Sequence, residues 1–164
     1  EMEAAVVPRA PGQDVIVMAA AVADFRPVEP SERKIKKDGG PPAISLEPTH
    51  DFLVDLGRAK PAGQVLVGFA AETDDVLANA RRKLVAKQLD LIVANDVGAP
   101  GAGFEHDTNR VVLVFANRVD HDVPLSDKRT VARAVLDAVV DLRKGAAPTA
   151  PDLTDGTSQG DPIQ

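Results

Sequence analysis

Three short apolar segments of this chain each lead into small residues and then into residues that could take part in chemistry. The segments are residues 14–18, 65–69 and 89–94, and the acids that follow them are Asp24, Glu72 and Asp96. In open α/β sheets, ligands bind beyond the carboxyl ends of the strands. Small residues there let a ligand approach the backbone, and carboxylates could orient a hydroxyl, an amino group or a metal-bound phosphate. The alternative, tight turns and helix caps, explains any one site better, but three parallel sites favour function.

A dense basic cluster interrupts an otherwise acidic chain. Residues 33–37 read Arg-Lys-Ile-Lys-Lys and lie between Pro30 and the Gly/Pro segment 39–42, whereas the net charge of the whole chain is −6. This setting predicts a loop, and lysines on a loop suit a lid that closes over phosphates. A solubilising surface loop explains the composition equally well.

Two further lysines, Lys83 and Lys87, are four residues apart and therefore share one face of a predicted helix. Like charges at this spacing repel each other weakly. Cations near a helix C-terminus complement the helix dipole, which is the better explanation when these two are considered alone. The functional alternative is that both bind one anionic ligand.

Other site classes find little support in the sequence. The glycine-rich residues 98–103 lack the spacing and the lysine of a phosphate-binding loop, and the three histidines show no metal-ligand spacing. The absence of cysteine excludes a thiolate nucleophile and a disulfide framework. The acidic net charge argues against nucleic-acid binding. The sequence also has no run of about 18 apolar residues, which a membrane-spanning helix would need. We therefore expect a cytoplasmic protein without nucleic-acid or membrane partners.

An α/β sheet would bring these residues together. The three apolar segments are typical of parallel strands that are buried on both faces, and residues 74–88 predict a helix between the second and third strands. A shorter helix is expected over residues 51–59, with Thr49 as its possible cap.

The second half of the chain predicts a different arrangement. Residues 97–109 are expected to form a loop, and residues 110–115 a strand that turns back into an antiparallel partner ending near Val123. Ser126 would then cap a helix that ends near Arg143 and buries one apolar face. We expect residues 1–144 to be the latter part of a larger α/β domain and residues 145–164 a disordered tail.

Five motifs in this order resemble the phosphopantothenoylcysteine synthetase family. They are Ala-Ala-Ala-Val-Ala-Asp-Phe-Arg-Pro (19–27), Lys-Ile-Lys-Lys (34–37), Gly-Phe-Ala-Ala-Glu-Thr (68–73), the pair Lys83 and Lys87, and Ala-Asn-Asp-Val (94–97), with Asp-Thr-Asn (107–109) following. The resemblance spans residues 14–142. It implies a Rossmann-like fold with a mostly parallel sheet flanked by helices, an antiparallel strand pair near the C-terminal part, and a homodimer.

The resemblance also implies an activity. Family members of the bacterial type join 4′-phosphopantothenate to L-cysteine, using CTP and Mg²⁺, through an acyl-cytidylate intermediate. FMN belongs only to a fused decarboxylase half, which has no counterpart in this sequence. The family's Asn-x-Ser-Ser-Gly segment also has no counterpart, so the alternative is a catalytically incomplete nucleotide-binding and dimerisation fragment. A Rossmann-like oxidoreductase is disfavoured because G-x-G-x-x-G is missing.

Site residues follow from the resemblance position by position. Lys34 is the catalytic candidate, and no metal ligand is assigned. The nucleotide-binding candidates are Met18, Ala19, Ala20, Asp24, Lys34, His50, Asp51, Phe52, Leu53, Phe69, Lys83 and Lys87. At residues 49–51 this chain has Thr-His-Asp where Asn-Pro-Asp is common in the family.

Overall fold

A computed structural model describes residues 1–30, 43–72, 74–96 and 107–145. The elements within these residues are α1 (Met2–Val6), a 3₁₀ helix (Val7–Gly12), β1 (Val15–Met18), β2 (Phe25–Pro27), β3 (Leu46–Pro48), α2 (Phe52–Ala59), β4 (Val65–Glu72), α3 (Val76–Ala86), β5 (Leu91–Asp96), β6 (Thr108–Phe115), β7 (His121–Asp127) and α4 (Lys128–Lys144). No helix of these ranges is both long and apolar enough to cross a membrane.

The main sheet confirms the predicted mixed α/β architecture. In the described residues it has five strands in the order β1-β4-β5-β6-β7. Strands β1, β4 and β5 pair in parallel, with Val15 opposite Val65 and Val67 opposite Leu91. Strands β6 and β7 continue the sheet in antiparallel fashion. The carboxyl ends of β1, β4 and β5 therefore meet at one edge, as the sequence predicted.

Helices cover both faces of this sheet. On one face, α2 and α3 bury Phe52, Leu56, Ala80 and Leu84 against alternate strand residues such as Leu66. On the other face, α4 buries Val131, Val135 and Val139 against the opposite set of strand residues, with Ala134, Ala138 and Leu142 partly buried beside them. This confirms the predicted apolar face of α4 and explains why β4 and β5 read as continuous apolar segments.

A second, two-stranded sheet was not predicted. Strands β2 and β3 pair in antiparallel fashion, with Phe25 opposite Pro48 and Pro27 opposite Leu46. An ion pair between Arg26 and Glu47, with 2.7 Å between Nε and Oε1, links the same two strands. The chain segment that follows β1 is thus anchored to the segment that precedes α2.

Several predicted helix starts were wrong. Asp127, not Ser126, caps α4: its carboxylate accepts hydrogen bonds at 2.9 Å from the backbone N–H groups of Arg129 and Thr130. A further hydrogen bond from the Thr130 hydroxyl is the main cause that lowers the pKa of Asp127 below its usual 3.8. Ser126 instead belongs to β7, which is longer than predicted.

Thr49 also does not cap α2. The residue at the cap position is Asp51, and neither its side chain nor that of Thr49 caps the helix. Helix α3 is shorter at both ends than the predicted 74–88, and its Leu77 is 47 % exposed. Strand β6 begins at Thr108, inside the segment predicted as a loop.

The helix α4 ends where a glycine allows it to. Gly145 adopts a left-handed conformation with φ +68°, and its backbone N–H donates to the carbonyls of Asp141 and Leu142. This is a common way to satisfy the last carbonyls of a helix. The predicted tail beyond Gly145 and the predicted lid, which includes Lys34, lie outside the described residues.

Candidate functional site

A cleft of about 360 Å³ opens where β1 and β4 end. The last residue of β1, the end of β4, the segment before α2, the first turn of α2 and one face of α3 form its walls. Its lining residues are Met18, Ala20, Ala21, Val22, Ala23, Asp24, Thr49, His50, Asp51, Phe52, Leu53, Phe69, Ala70, Ala71, Lys83 and Lys87. This is the edge at which open α/β sheets bind ligands.

Most of the residues that the resemblance assigns to the nucleotide lie together in this cleft. They are Met18, Ala20, Asp24, His50, Asp51, Phe52, Leu53, Phe69, Lys83 and Lys87. Ala19 instead lines a neighbouring groove, and Lys34 lies outside the described residues. Residues from four different parts of the chain therefore meet at one place, although their role as nucleotide ligands stays a proposal.

Thr49 holds two walls of the cleft together. Its backbone N–H donates to the carbonyl of Asp24 at 2.8 Å, and its hydroxyl donates to the carbonyl of Ala23. The alanine-rich segment after β1 is thereby fixed against the segment before α2. Residues 20, 21 and 23 of this wall are alanines, so only methyl side chains separate the backbone from the cleft there.

The two cleft lysines are each paired with a carboxylate from a different element. The Lys83 ammonium lies 2.6 Å from Glu72 Oε1 at the end of β4, and the Lys87 ammonium lies 2.7 Å from Asp51 Oδ2 before α2. These ion pairs decide between the two explanations of the lysine spacing only in part. They show that both ammonium groups are paired with carboxylates, and both lysines line the cleft.

The position of Lys87 depends on the close packing of α2 against the end of α3. A Cβ atom at Gly57 would lie 1.9 Å from the carbonyl oxygen of Lys87. Only glycine permits this approach, because any side chain would overlap with backbone atoms. The close contact brings the start of α2, with Asp51, within reach of Lys87.

His50 lies at the mouth of the cleft between two acids. Its Nδ1 is 2.9 Å from Glu3 Oε1, and its Nε2 is 3.0 Å from Asp55 Oδ2. The hydrogen bond with Glu3 and the charge of that carboxylate raise the pKa of His50 above its usual 6.5, and the charges of Asp55 and Asp51 add to this effect. Through these two contacts His50 links α1, which carries Glu3, to α2, which carries Asp55.

Asn79 is a residue near the site that the sequence did not indicate. Its side-chain NH₂ donates to Glu72 Oε2 at 3.3 Å and to the carbonyl of Asp74 at 2.9 Å. The only signal in the sequence was its place in the first turns of a helix that also carries Lys83. That signal was too weak, because asparagine at such a position is common for reasons of capping alone.

The metal that the resemblance implies has no ready set of protein ligands in the described part of the chain. No group of three His, Asp or Glu side chains there is close enough to hold an ion. Asp24 and Asp51 line the cleft as separate carboxylates. This arrangement fits Mg²⁺, which is commonly bound by one or two carboxylates together with substrate phosphates and waters.

A second groove of about 370 Å³ lies on the α4 side of the same sheet edge. Its lining residues are Val17, Ala19, Phe69, Asn109, Lys128, Val131, Ala132, Val135 and Leu136. Phe69, which is 41 % exposed, belongs to both cavities and forms the wall between them. Ala19 therefore lies on the opposite side of this wall from Ala20.

Comparison with known families identifies the chain. Residues 1–142 match the family described as the DNA/pantothenate metabolism flavoprotein C-terminal domain. The chain belongs to this family. The match confirms the resemblance drawn from the five motifs, and the family's fold agrees with the α/β sheet described above.

Two curated relatives share more than two fifths of their residues with the chain over the matched region. The coenzyme A biosynthesis bifunctional protein CoaBC of Bacillus subtilis is 44 % identical over 144 residues, which are 88 % of this chain and 35 % of that protein. A cysteine/cysteine sulfinic acid decarboxylase from an unknown prokaryotic organism is 43 % identical over 129 residues, which are 79 % and 36 %. The chain thus spans about a third of the length of these relatives.

Solved structures give the same answer for the fold. The crystal structure of the C-terminal domain of CoaBC matches with a TM-score of 0.69 and 33 % identity, over 88 % of this chain and 62 % of that one. A Cab2 variant solved with phosphopantothenate-cysteine matches with a TM-score of 0.58 and 21 % identity, over 80 % of this chain and 44 % of that one. At this lower identity the second match concerns the fold alone.

Proposed function

We propose that this chain is the nucleotide-binding part of a phosphopantothenate–cysteine ligase that uses CTP. The observation that carries the proposal is the cleft in which Lys83 and Lys87 face an alanine-rich backbone wall at the carboxyl ends of parallel strands. The membership of the chain in the family described above supports the same activity. The substrates would be 4′-phosphopantothenate, L-cysteine and CTP.

The proposed reaction needs positive charge because it brings several anions together. The carboxylate of 4′-phosphopantothenate attacks the α-phosphate of CTP, which forms an acyl-cytidylate and releases pyrophosphate. The amine of cysteine then attacks the acyl carbon, the amide forms, and CMP leaves. Lys83 and Lys87 would neutralise the phosphates, and holding the reactants together would lower the entropic part of the barrier.

Individual residues of the cleft suit individual parts of CTP. The backbone along Ala20 and Ala21 lies open to a ligand that needs close approach, and Phe69 offers an apolar surface beside it. Lys34 remains the proposed catalytic residue on the resemblance alone. Mg²⁺ would reach the site with the phosphates, where Asp24 or Asp51 could contribute one ligand, and would supply further charge neutralisation.

We also propose a homodimer and a cytoplasmic location. The apolar side chains of Phe25, Val28, Ile44 and Leu46 are between 49 % and 62 % exposed around the β2–β3 pair. Clustered exposed apolar residues commonly mark an interaction surface. A second copy of the chain is the partner that the family resemblance implies. The location rests on the lack of cysteine in the sequence.

Calorimetry and product analysis would test the proposed function. We expect CTP to bind this chain more tightly than ATP, as in the bacterial type of the family. CMP release should be measured with this chain and with a longer protein that carries it. Release by the longer protein alone would favour the alternative, in which this chain binds CTP but lacks part of the active site. Equal or tighter ATP binding would contradict the bacterial-type assignment.

A further inference from the structure

Glu72 pairs with the cleft residue Lys83 but does not itself line the cleft. It is the last residue of β4, and its side chain is 14 % exposed, whereas that of Lys83 is 41 % exposed. Lys83 lines the cleft and Glu72 does not. Lys83 therefore belongs to the cleft wall and at the same time contacts the Glu72 carboxylate.

The protein fixes this carboxylate from two sides. Oε1 accepts from the Lys83 ammonium at 2.6 Å, and Oε2 accepts from the Asn79 amide at 3.3 Å. Asn79 is fixed in turn by its hydrogen bond to the carbonyl of Asp74. A carboxylate that is largely removed from water must be paired, so Glu72 has a strong preference for keeping Lys83 in place.

We propose that Glu72 is a positioning residue that holds the Lys83 ammonium ready for the phosphates of the nucleotide. This inference rests on the proposed function, in which Lys83 binds CTP. An ammonium group has three donors, so Lys83 can keep its bond to Glu72 and still donate to a phosphate oxygen. A Lys–Glu ion pair positions a phosphate-binding lysine in the same manner in protein kinases.

Glu72 also carries a negative charge, which by itself would repel phosphates. Two features of the geometry make positioning the larger effect. The charge is matched by Lys83 at 2.6 Å, and of the two residues only the lysine lines the cleft. A free lysine side chain would lose rotamer freedom on binding that corresponds to an affinity loss of up to about 30-fold. Glu72 removes part of this loss before the ligand arrives.

The pair formed by Lys87 and Asp51 differs in this respect. Asp51 lines the cleft itself, and its side chain is 50 % exposed. Its carboxylate lies on the ligand's side, where it competes with phosphate for the ammonium. Glu72 is thus the acid whose position suits preorganisation of a cleft lysine.

The test is CTP binding measured by calorimetry on this chain with Glu72→Gln, Lys83→Gln and the double variant. We expect Glu72→Gln to raise the Kd for CTP by about 5- to 30-fold, within the range set by lysine rotamer freedom. In the Lys83→Gln background the same change should have no further effect, because Glu72 acts only through that lysine. A merely structural role would lower stability in both backgrounds without changing the Kd.

Asp120→Asn is the matched control. Asp120 pairs at 2.6 Å with Arg81, which lies on the same helix as Lys83. The side chain of Asp120 is 20 % exposed, which is close to the exposure of Glu72, and Asp120 does not line the cleft. We expect Asp120→Asn to bind CTP with the same Kd as the parent. Asn79→Ala provides a second variant should Glu72→Gln fail to fold: it keeps the charge of Glu72 but frees one oxygen, and we expect a smaller rise in the Kd of about 2- to 5-fold.

The outcomes separate this inference from the proposed function. Unchanged or tighter CTP binding by Glu72→Gln, with weaker binding by Lys83→Gln, would overturn the positioning role alone. CTP binding that is unaffected by Lys83→Gln would overturn both, since Lys83 would then not be a nucleotide ligand.

Discussion

Replacing Gly57 by alanine should disturb both the stability of the chain and the geometry of the cleft. Gly57 is buried in α2, at the point where this helix meets the end of α3. An added Cβ atom would lie 1.9 Å from the Lys87 carbonyl oxygen and 2.9 Å from its carbon, whereas ordinary contacts begin at 3.4 Å. Helix α2 would therefore have to retreat by about 1.5 Å, because a backbone carbonyl cannot rotate away as a side-chain end can.

Two opposing terms set the size of the effect. Alanine is favoured over glycine in a helix by about 1 kcal/mol. Overpacking of a well-packed interior commonly costs about 1 to 3 kcal/mol, and the overlap with a backbone oxygen belongs at the upper end of that range. We therefore expect the free energy of unfolding to fall by about 2 kcal/mol for Gly57→Ala. The shift would also displace Phe52 and Leu53, which line the cleft in the first turn of α2, so CTP should bind more weakly.

Urea denaturation followed by circular dichroism would measure the change, with Gly12→Ala as the control. Gly12 has no heavy atom within 4 Å of an added Cβ, so its replacement should leave the free energy of unfolding within about 0.5 kcal/mol of the parent. If Gly57→Ala proved as stable as the parent or more stable, helix propensity would outweigh the overlap. The close approach of α2 and α3 would then be adjustable and could not fix the cleft.

Further measurements address the site, its pH dependence and its assembly. The double variant Lys83→Gln, Lys87→Gln should lower CTP affinity by about 1.5 kcal/mol or more per lysine. It should also remove most of the CTP-induced rise in melting temperature. If that rise stayed unchanged, both lysines would be surface charges without a role in nucleotide binding. Because both lysines form ion pairs, the free energy of unfolding of the double variant should also fall, by up to about 1 kcal/mol per pair. If the repulsion between Lys83 and Lys87 were the only effect, its loss would leave the free energy of unfolding unchanged or higher. Because the pKa of His50 is raised above 6.5, its stabilising contribution should be present below that pH and be lost as the pH rises through the folded-state pKa. In His50→Gln the melting temperature should therefore depend less on pH across this window. The pKa of Asp127 is lowered, so its contribution should hold above pH 3.8 and be lost as the pH falls through the folded-state value, which acid titration of Asp127→Asn would check. Light scattering at micromolar concentration should give a dimer mass that Phe25→Ser reduces, and a monomer mass for the parent would refute the dimer.

The parallel core of the fold could be predicted because its signals are local. Strands β4 and β5 carry continuous apolar residues and are buried on both faces, as predicted, whereas β1 carries a similar segment but its Val17 is 41 % exposed. The apolar face of α4 repeats at helical spacing, and its Val131, Val135 and Val139 pack against the sheet. The lysines of α3 share a face for the same reason. Each feature depends on periodicity within one element, which the sequence shows directly.

Helix starts were decided by contacts between distant residues. Ser126 and Asp127 are both good cap residues, so local chemistry does not choose between them. Strand β7 pairs with β6 as far as Asp127, opposite Thr108, and the ladder therefore keeps Ser126 in extended backbone. Thr49 is occupied in the same way, because its hydroxyl and N–H hold the segment that follows β1.

The electrostatics of the cleft could not be predicted for a related reason. Lys83 and Lys87 read as two like charges on one helix face, a picture in which each weakens the other. In the folded chain each lysine meets an acid that another element supplies, Glu72 from the end of β4 and Asp51 from the turn before α2. A chain with a net charge of −6 can thus keep two ammonium groups at one cleft without mutual repulsion dominating. What distinguishes the two pairs is that Asp51 lines the cleft and Glu72 does not, since an acid outside the cleft can hold the ammonium for an incoming phosphate whereas an acid inside it competes with that phosphate.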